Sequence, residues 1–220
     1  MLLDFSKKTF RIAICAIGFA VIFLAMMLDK LISLALPVSM AAVVLLVTFS
    51  LCFVFDEWLF GFLTGVFFGL ASFLKAFVFG EATFVTFGIG SILIYVLPRC
   101  LVGIGAFAVY KLVLMLLQDK KSPKCQHMAM VVAVFVGLVL NTVLFLSALN
   151  IGKSIVGEEY SALILTIKAV MFTNIIPEYL ISLVLVPFVV MGVRRGLKLG
   201  VDGDNMKRAR EAEKTSVSQN

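Results

Sequence analysis

Tyr95-Val96-Leu97-Pro98-Arg99 places a proline and a permanently charged guanidinium inside an apolar run that covers residues 89–117. An α-helix needs roughly 20 apolar residues to cross the hydrocarbon of a bilayer, so the run reads as a membrane helix that carries an arginine. At the centre of such a helix an arginine costs about 3 kcal/mol on insertion scales, and it therefore faces a bundle interior or a wet cavity. Arg99 needs neighbouring helices, and the rest of the chain supplies them.

Hydrophobic residues make up 62% of the 220 positions and charged residues 15%, against roughly 25% charged in soluble domains. With a mean hydropathy of +1.12, the chain reads as an all-α integral membrane protein. The apolar runs are residues 10–28, 38–55, 59–74, 89–117, 128–149 and 164–193, which predicts six transmembrane helices. The third is short and is expected to tilt little or to borrow residues from its flanks, whereas the fourth and sixth are long enough to tilt or kink. The first follows Lys7 and Lys8 as a signal peptide would, but it is long enough to span and has no small-residue cleavage pattern before Asp29, so it is retained as a helix.

Lysine and arginine in the short loops set the orientation. Lys7, Lys8 and Arg11, then Lys120, Lys121 and Lys124, then Arg194, Arg195 and Lys198 fall on one side, against Lys30, Lys75 and Lys153 on the other. Both termini are thereby expected in the cytoplasm of a multi-pass protein of the cell membrane. The net charge of +6 reports this orientation and not a nucleic-acid-binding face, because the cations flank hydrophobic spans. Residues 1–193 form the membrane domain, and the mixed-charge segment 194–220 reads as a disordered cytoplasmic tail. Two outer loops are too apolar to be solvated linkers. One is residues 29–37; the other, 75–88, interleaves Phe77, Phe79, Phe84 and Phe87 with Gly80, Glu81 and Thr83. Both read as lids or re-entrant segments over a cavity, or as interfacial aromatic anchors.

The polar residues inside the spans gather on one side. Arg99 lies about ten residues, roughly 15 Å, below the outer end of its helix. Asn141 and Thr142 occupy the outer half of the fifth helix, and Lys168, Asn174 and Glu178 the outer half or middle of the sixth, where Pro177 frees a backbone carbonyl. The inner halves are almost purely aliphatic and aromatic. That asymmetry predicts a pocket open to the outside and closed below, in contrast to a channel, which needs polar groups at every depth. A ligand carboxylate suits the planar guanidinium fork; a structural ion pair between Arg99 and Glu178 is the alternative.

Two small-residue faces invite close helix packing. Gly61, Gly65 and Gly69 form one on the third helix, read as internal packing. Ala13, Ala16 and Ala20 form the other on the first helix, which suits either internal packing or an external partner helix. The cysteines, Cys15, Cys52, Cys100 and Cys125, lack any CxxC spacing, so neither a disulfide framework nor a metal site is expected. His127 is a lone loop histidine, and no Walker A, HExxH or GxSxG sequence occurs. An enzyme is not expected.

Residues Phe60-Gly61-Phe62-Leu63-Thr64-Gly65-Val66-Phe67-Phe68-Gly69-Leu70-Ala71-Ser72-Phe73-Leu74, then Leu97-Pro98-Arg99-Cys100-Leu101-Val102-Gly103, Leu140-Asn141-Thr142-Val143-Leu144 and Asn174-Ile175-Ile176-Pro177-Glu178, follow one another in an order that resembles the substrate-specific S components of energy-coupling factor (ECF) vitamin transporters. The resemblance implies a six-helix protein that captures a vitamin or related micronutrient at its extracellular side. It also implies docking on a transmembrane T component driven by two ATP-binding cassette ATPases, so that ATP is used by partners and no cofactor is bound by this chain. The AxxxA pattern Ala16-Ile17-Gly18-Phe19-Ala20 resembles the family's docking face, which favours the external role for Ala13, Ala16 and Ala20. On this reading the substrate site comprises Arg99, Asn141, Asn174, Glu178, Tyr95 and Lys75. Arg99 with Lys75 or Lys168 favours a small anionic or amide-rich ligand, pantothenate first, with folate, riboflavin, cobalamin and thiamin precursors open. A stand-alone secondary transporter or channel, and a structural or sensory subunit without a transported ligand, are the competing readings.

Overall fold

The computed structural model describes residues 8–35, 41–117, 122–156 and 161–196, and among them there is no strand. Seven α-helices follow in order: α1 (Lys8–Ala35), α2 (Ala41–Val54), α3 (Trp58–Val78), the short α4 (Ala82–Phe87), α5 (Ser91–Leu116), α6 (Pro123–Val156) and α7 (Ser161–Gly196), with a 3-10 turn at Gly88–Gly90 before α5. Five helices, α1, α3, α5, α6 and α7, are long and apolar enough to cross a membrane. Of the sixth expected span, residues 38–55, the described part of α2 has 14 helical residues, about 21 Å at 1.5 Å per residue, short of the roughly 30 Å hydrocarbon layer; residues 36–40 lie outside the described residues.

The short helix is also the most enclosed. α2 is hydrophobic on every side, which suits a helix surrounded by others, and nine of its residues are buried, among them Phe49, Cys52 and Phe53. It packs on α1, α3, α5 and α7. The last carbonyls of a helix lack intrahelical partners; Asp56 N donates to that of Phe53 at 3.3 Å, and Arg194 of α7 reaches both Phe53 and Val54. The Arg194 Nε donates to the Val54 carbonyl at 3.2 Å and its terminal nitrogens to the Phe53 carbonyl, the Tyr110 hydroxyl (3.2 Å) and Gln126 Oε1 (3.3 Å). Asp56 stands 3.9 Å from the same guanidinium and 2.9 Å from Lys111 of α5. One end of the bundle is thus closed by a polar cluster of α2, α5, α6 and α7, here called the Arg194 end. The opposite end carries Lys30, Lys75 and Glu81.

One sequence expectation holds and two boundaries move. The third span does borrow from its flanks, as α3 takes in Trp58 and runs on to Val78. Residues 29–35 of the expected first loop are helical turns at the end of α1, and residues 36–40 lie outside the described residues. The expected boundary at residue 193 falls inside α7, because Arg194 is held in the bundle at 8% exposure; residues 197–220 lie outside the described residues.

The glycine face of α3 packs against α5 at backbone distance. A Cβ on Gly65 would stand 2.6 Å from the Arg99 carbonyl oxygen and 3.0 Å from Cys100 Cα, and one on Gly69 would stand 2.7 Å from Val96 Cα. Only glycine permits this approach, and it fixes the α5 segment that carries Tyr95 and Arg99. In contrast, Ala13, Ala16 and Ala20 of α1 are exposed on the outer surface of the bundle, while Gly18, Phe19, Ile22 and Met26 make the inward face.

Candidate functional site

α3 ends in a sequence-coded turn that builds the mouth of a cavity. Glu81 N donates to the Ala76 carbonyl at 2.9 Å and Gly80 N to the Phe77 carbonyl at 3.4 Å, the paired bonds of a Schellman cap. Gly80 occupies its left-handed position at φ +56°, which glycine adopts without steric cost. The cap reverses the chain and brings Glu81 back over the bundle. There its carboxylate meets Lys30 of α1 and Lys75 of α3, both at 3.5 Å, and accepts a hydrogen bond from the Tyr95 hydroxyl of α5 at 3.2 Å. Burial raises the Glu81 carboxyl, but Lys75, Lys30 and the Tyr95 hydroxyl lower it by more, so it is held below the usual carboxylate range. Phe77 and Phe84 stack edge to face at 5.2 Å and Phe73 and Phe84 at 5.9 Å. The aromatic loop therefore packs on α3 and is no solvated linker.

Beneath Glu81 lies a cavity of about 300 Å³. Arg99 enters it from α5. Side chains on a helix tilt toward its N-terminus, and the Arg99 guanidinium accordingly turns back one turn and donates to the Tyr95 carbonyl at 3.1 Å. Three aromatic rings surround it, with centroids 5.0 Å (Phe68), 5.3 Å (Tyr95) and 4.9 Å (Phe145) from its central carbon. Cation–π attraction stabilises the charge without using the N–H groups. Among the described residues, buried Arg99 Nε has no hydrogen-bond partner, nor has the buried side-chain oxygen of Asn141. No ion pair joins Arg99 to Glu178 among the described residues, so the alternative of a structural pair between them is not seen there. Thr142 of α6 and Tyr179 of α7 share a hydrogen bond at 3.1 Å, which ties those helices together beside Glu178.

Of the six residues expected from sequence, five line this one cavity: Lys75, Tyr95, Arg99, Asn141 and Glu178. The sixth, Asn174, falls on α7, and its side chain lies outside the described residues. Lys168, weighed as a possible ligand group, is not part of the lining and donates to Asn150 Oδ1 at 3.3 Å. Sequence reasoning placed Glu81 in a greasy loop but did not assign it to the site. The available signal was a lone acid directly after a helix-ending glycine, six residues beyond a lysine on the same helix end. Ser72, Asp29 and Leu138 also line the cavity and were not singled out.

Toward the Arg194 end the cavity gives way to Phe49, Phe53, Phe107, Met130, Val134, Val186 and Val190, all fully buried and members of one apolar core. Polar lining and apolar floor thus occupy successive levels of the same helices. Among the described residues no group of histidine, cysteine or acidic side chains has the arrangement of a metal site. Compared with known protein families, curated proteins and solved structures, the chain matches none of them.

Proposed function

We propose that this chain is the substrate-binding S component of an ECF-type importer in the cell membrane, with six membrane passes and both termini in the cytoplasm. The Glu81 end faces outward, and the cavity beneath it captures a vitamin or related micronutrient. The observation that carries this reading is the cavity lined by Lys75, Tyr95, Arg99, Asn141 and Glu178, with a predominantly apolar core below it. A pocket open to one side captures a ligand but offers it no polar path onward. Delivery then requires movement of the whole subunit against a partner, and ATP is consumed by that partner's ATPases. The outward alanine face of α1 supports such docking: Ala13, Ala16 and Ala20 are exposed on the bundle surface and allow another helix to approach closely.

Affinity purification of the tagged chain from host membranes tests the reading. The expected result is co-purification of a T component with two ATP-binding cassette ATPases, lost when Ala16 or Ala20 is replaced by tryptophan while the chain itself is still recovered. Ion-gradient-driven uptake by the chain alone in liposomes would overturn the proposal in favour of a secondary transporter.

A further inference from the structure

Two cations and three acids line the cavity: Lys75 and Arg99 against Asp29, Glu81 and Glu178. Lys75 and Glu81 pair with each other at the mouth, and Asp29 has contacts of its own. What remains is a guanidinium on α5 and a carboxyl group on α7, facing one space and not joined to one another among the described residues. Each is held on its own wall, Arg99 by the rings of Phe68, Tyr95 and Phe145 and the Glu178 segment by the Thr142–Tyr179 bond. An apolar interior that keeps opposite charges apart leaves each to be satisfied by something else.

A purely anionic ligand satisfies Arg99 but sets a second negative charge against Glu178. A purely cationic ligand makes the opposite error. The lysines that would have favoured an anion are engaged elsewhere, Lys75 with Glu81 and Lys168 with Asn150 outside the cavity. The geometry points to a small zwitterion as the ligand, its carboxylate on the Arg99 fork and its protonated nitrogen on Glu178. This inference rests on the proposed role as a binding subunit and narrows its substrate class. A volume of about 300 Å³ lies at the lower end of ligand pockets, roughly 300–1,000 Å³, so the molecule is small.

The test starts from full-length protein purified in mild detergent from host membranes. Small molecules released on denaturation are identified by mass spectrometry, and the recovered compound, its methyl ester and its N-acetyl derivative are titrated back calorimetrically. The expected compound carries a carboxyl group and a basic nitrogen, and masking either end raises Kd about ten- to a hundredfold, the range for losing one charged hydrogen bond. Arg99→Gln and Glu178→Gln each do the same. Recovery of a carboxylate without a basic nitrogen, pantothenate included, overturns the zwitterion and leaves the binding role intact. Absence of any released molecule from protein that elutes as a folded species overturns both. Where a variant fails to fold, the recovered compound and its two derivatives decide the matter without it.

Discussion

Arg194 and Arg99 each carry a guanidinium into the apolar bundle, one at either end, and their surroundings differ in kind. Arg194 donates to two backbone carbonyls of α2, to the Tyr110 hydroxyl and to Gln126, with Asp56 close by. Arg99 donates to one carbonyl of its own helix, rests among three rings and leaves Nε unpartnered. The first arrangement completes the structure, because it supplies the donor to the Val54 carbonyl at the end of α2 and a second donor to that of Phe53. The second leaves hydrogen-bonding capacity unused beside a cavity. A buried cation whose donors are spent on its own fold reads as structural; one that lines a cavity with a single hydrogen bond to its own helix reads as awaiting a ligand.

The sharpest way to break this comparison is Arg194→Met. The substitution keeps apolar bulk but removes the donors to the Val54 carbonyl, the Tyr110 hydroxyl and Gln126 Oε1, and leaves the Phe53 carbonyl only its bond from Asp56 N. Leaving several buried groups unsatisfied costs about 1–3 kcal/mol each, reduced by relaxation and water entry, so a total loss of about 3–5 kcal/mol is expected. Unfolding in mixed detergent micelles reads it directly. A loss below about 1 kcal/mol would remove Arg194 from its structural role.

The next effect in size probes how Arg99 is held in place. Gly65→Val drives side-chain atoms into the backbone of Arg99 and Cys100, where even a Cβ would lie within 2.6 Å. Overpacking of this kind costs about 1–3 kcal/mol. It also pushes α5 away from α3, so ligand affinity should fall together with stability. A variant that loses stability but keeps full affinity would show that the glycine contact does not position Arg99.

These two residues also mark what could be read in the sequence. The glycine face was legible because its spacing of four is a property of one helix, and its use in internal packing followed from that. So was the clustering of Arg99, Asn141 and Glu178, since depth along a helix is a linear count from its end. Arg194 was not legible in this way. Two adjacent arginines after an apolar run are the ordinary signature of a cytoplasmic flank, and nothing local records that the carbonyls of Phe53 and Val54, some 140 positions earlier, need donors. Lys111 escaped notice inside a long apolar run for the same reason: its partner Asp56 lies on a distant turn. Glu81 depended on the Schellman cap at Gly80, whose effect is to place a loop acid between lysines of two helices. Contacts of this length are set by packing, which a single helix period does not encode.

A smaller effect concerns the mouth. Glu81→Gln keeps the hydrogen bond from Tyr95 but discharges the pairs with Lys30 and Lys75, whose side chains are about a quarter exposed. Solvent screening limits the loss to about 1 kcal/mol or less. Its pH dependence is the better diagnostic. The Glu81 carboxyl is held below its unfolded value, so its contribution is present in full above about pH 4.3 and is lost as pH falls from there through the folded value. The gap in thermal midpoint between the native chain and Glu81→Gln should therefore close as the pH is lowered beneath that point. A gap that widens on acidification would mean that the lysines do not govern Glu81.

The smallest expected change in stability belongs to the other arginine, and it completes the comparison. In Arg99→Met nothing is left wanting in the ligand-free protein: the Tyr95 carbonyl still receives the helical N–H of residue 99, and no acid among the described residues loses an ion-pair partner. The thioether can pack against Phe68, Tyr95 and Phe145, since sulfur–aromatic contacts are favourable, while a desolvated charge is removed. Folded stability should thus shift by less than about 1 kcal/mol, in either direction, in the same micelle assay in which Arg194→Met loses several. Ligand affinity is expected to collapse in the first variant alone, once the fraction of folded protein is taken into account. Equal destabilisation by the two substitutions would place both arginines in the architecture and leave the cavity without its anchoring group.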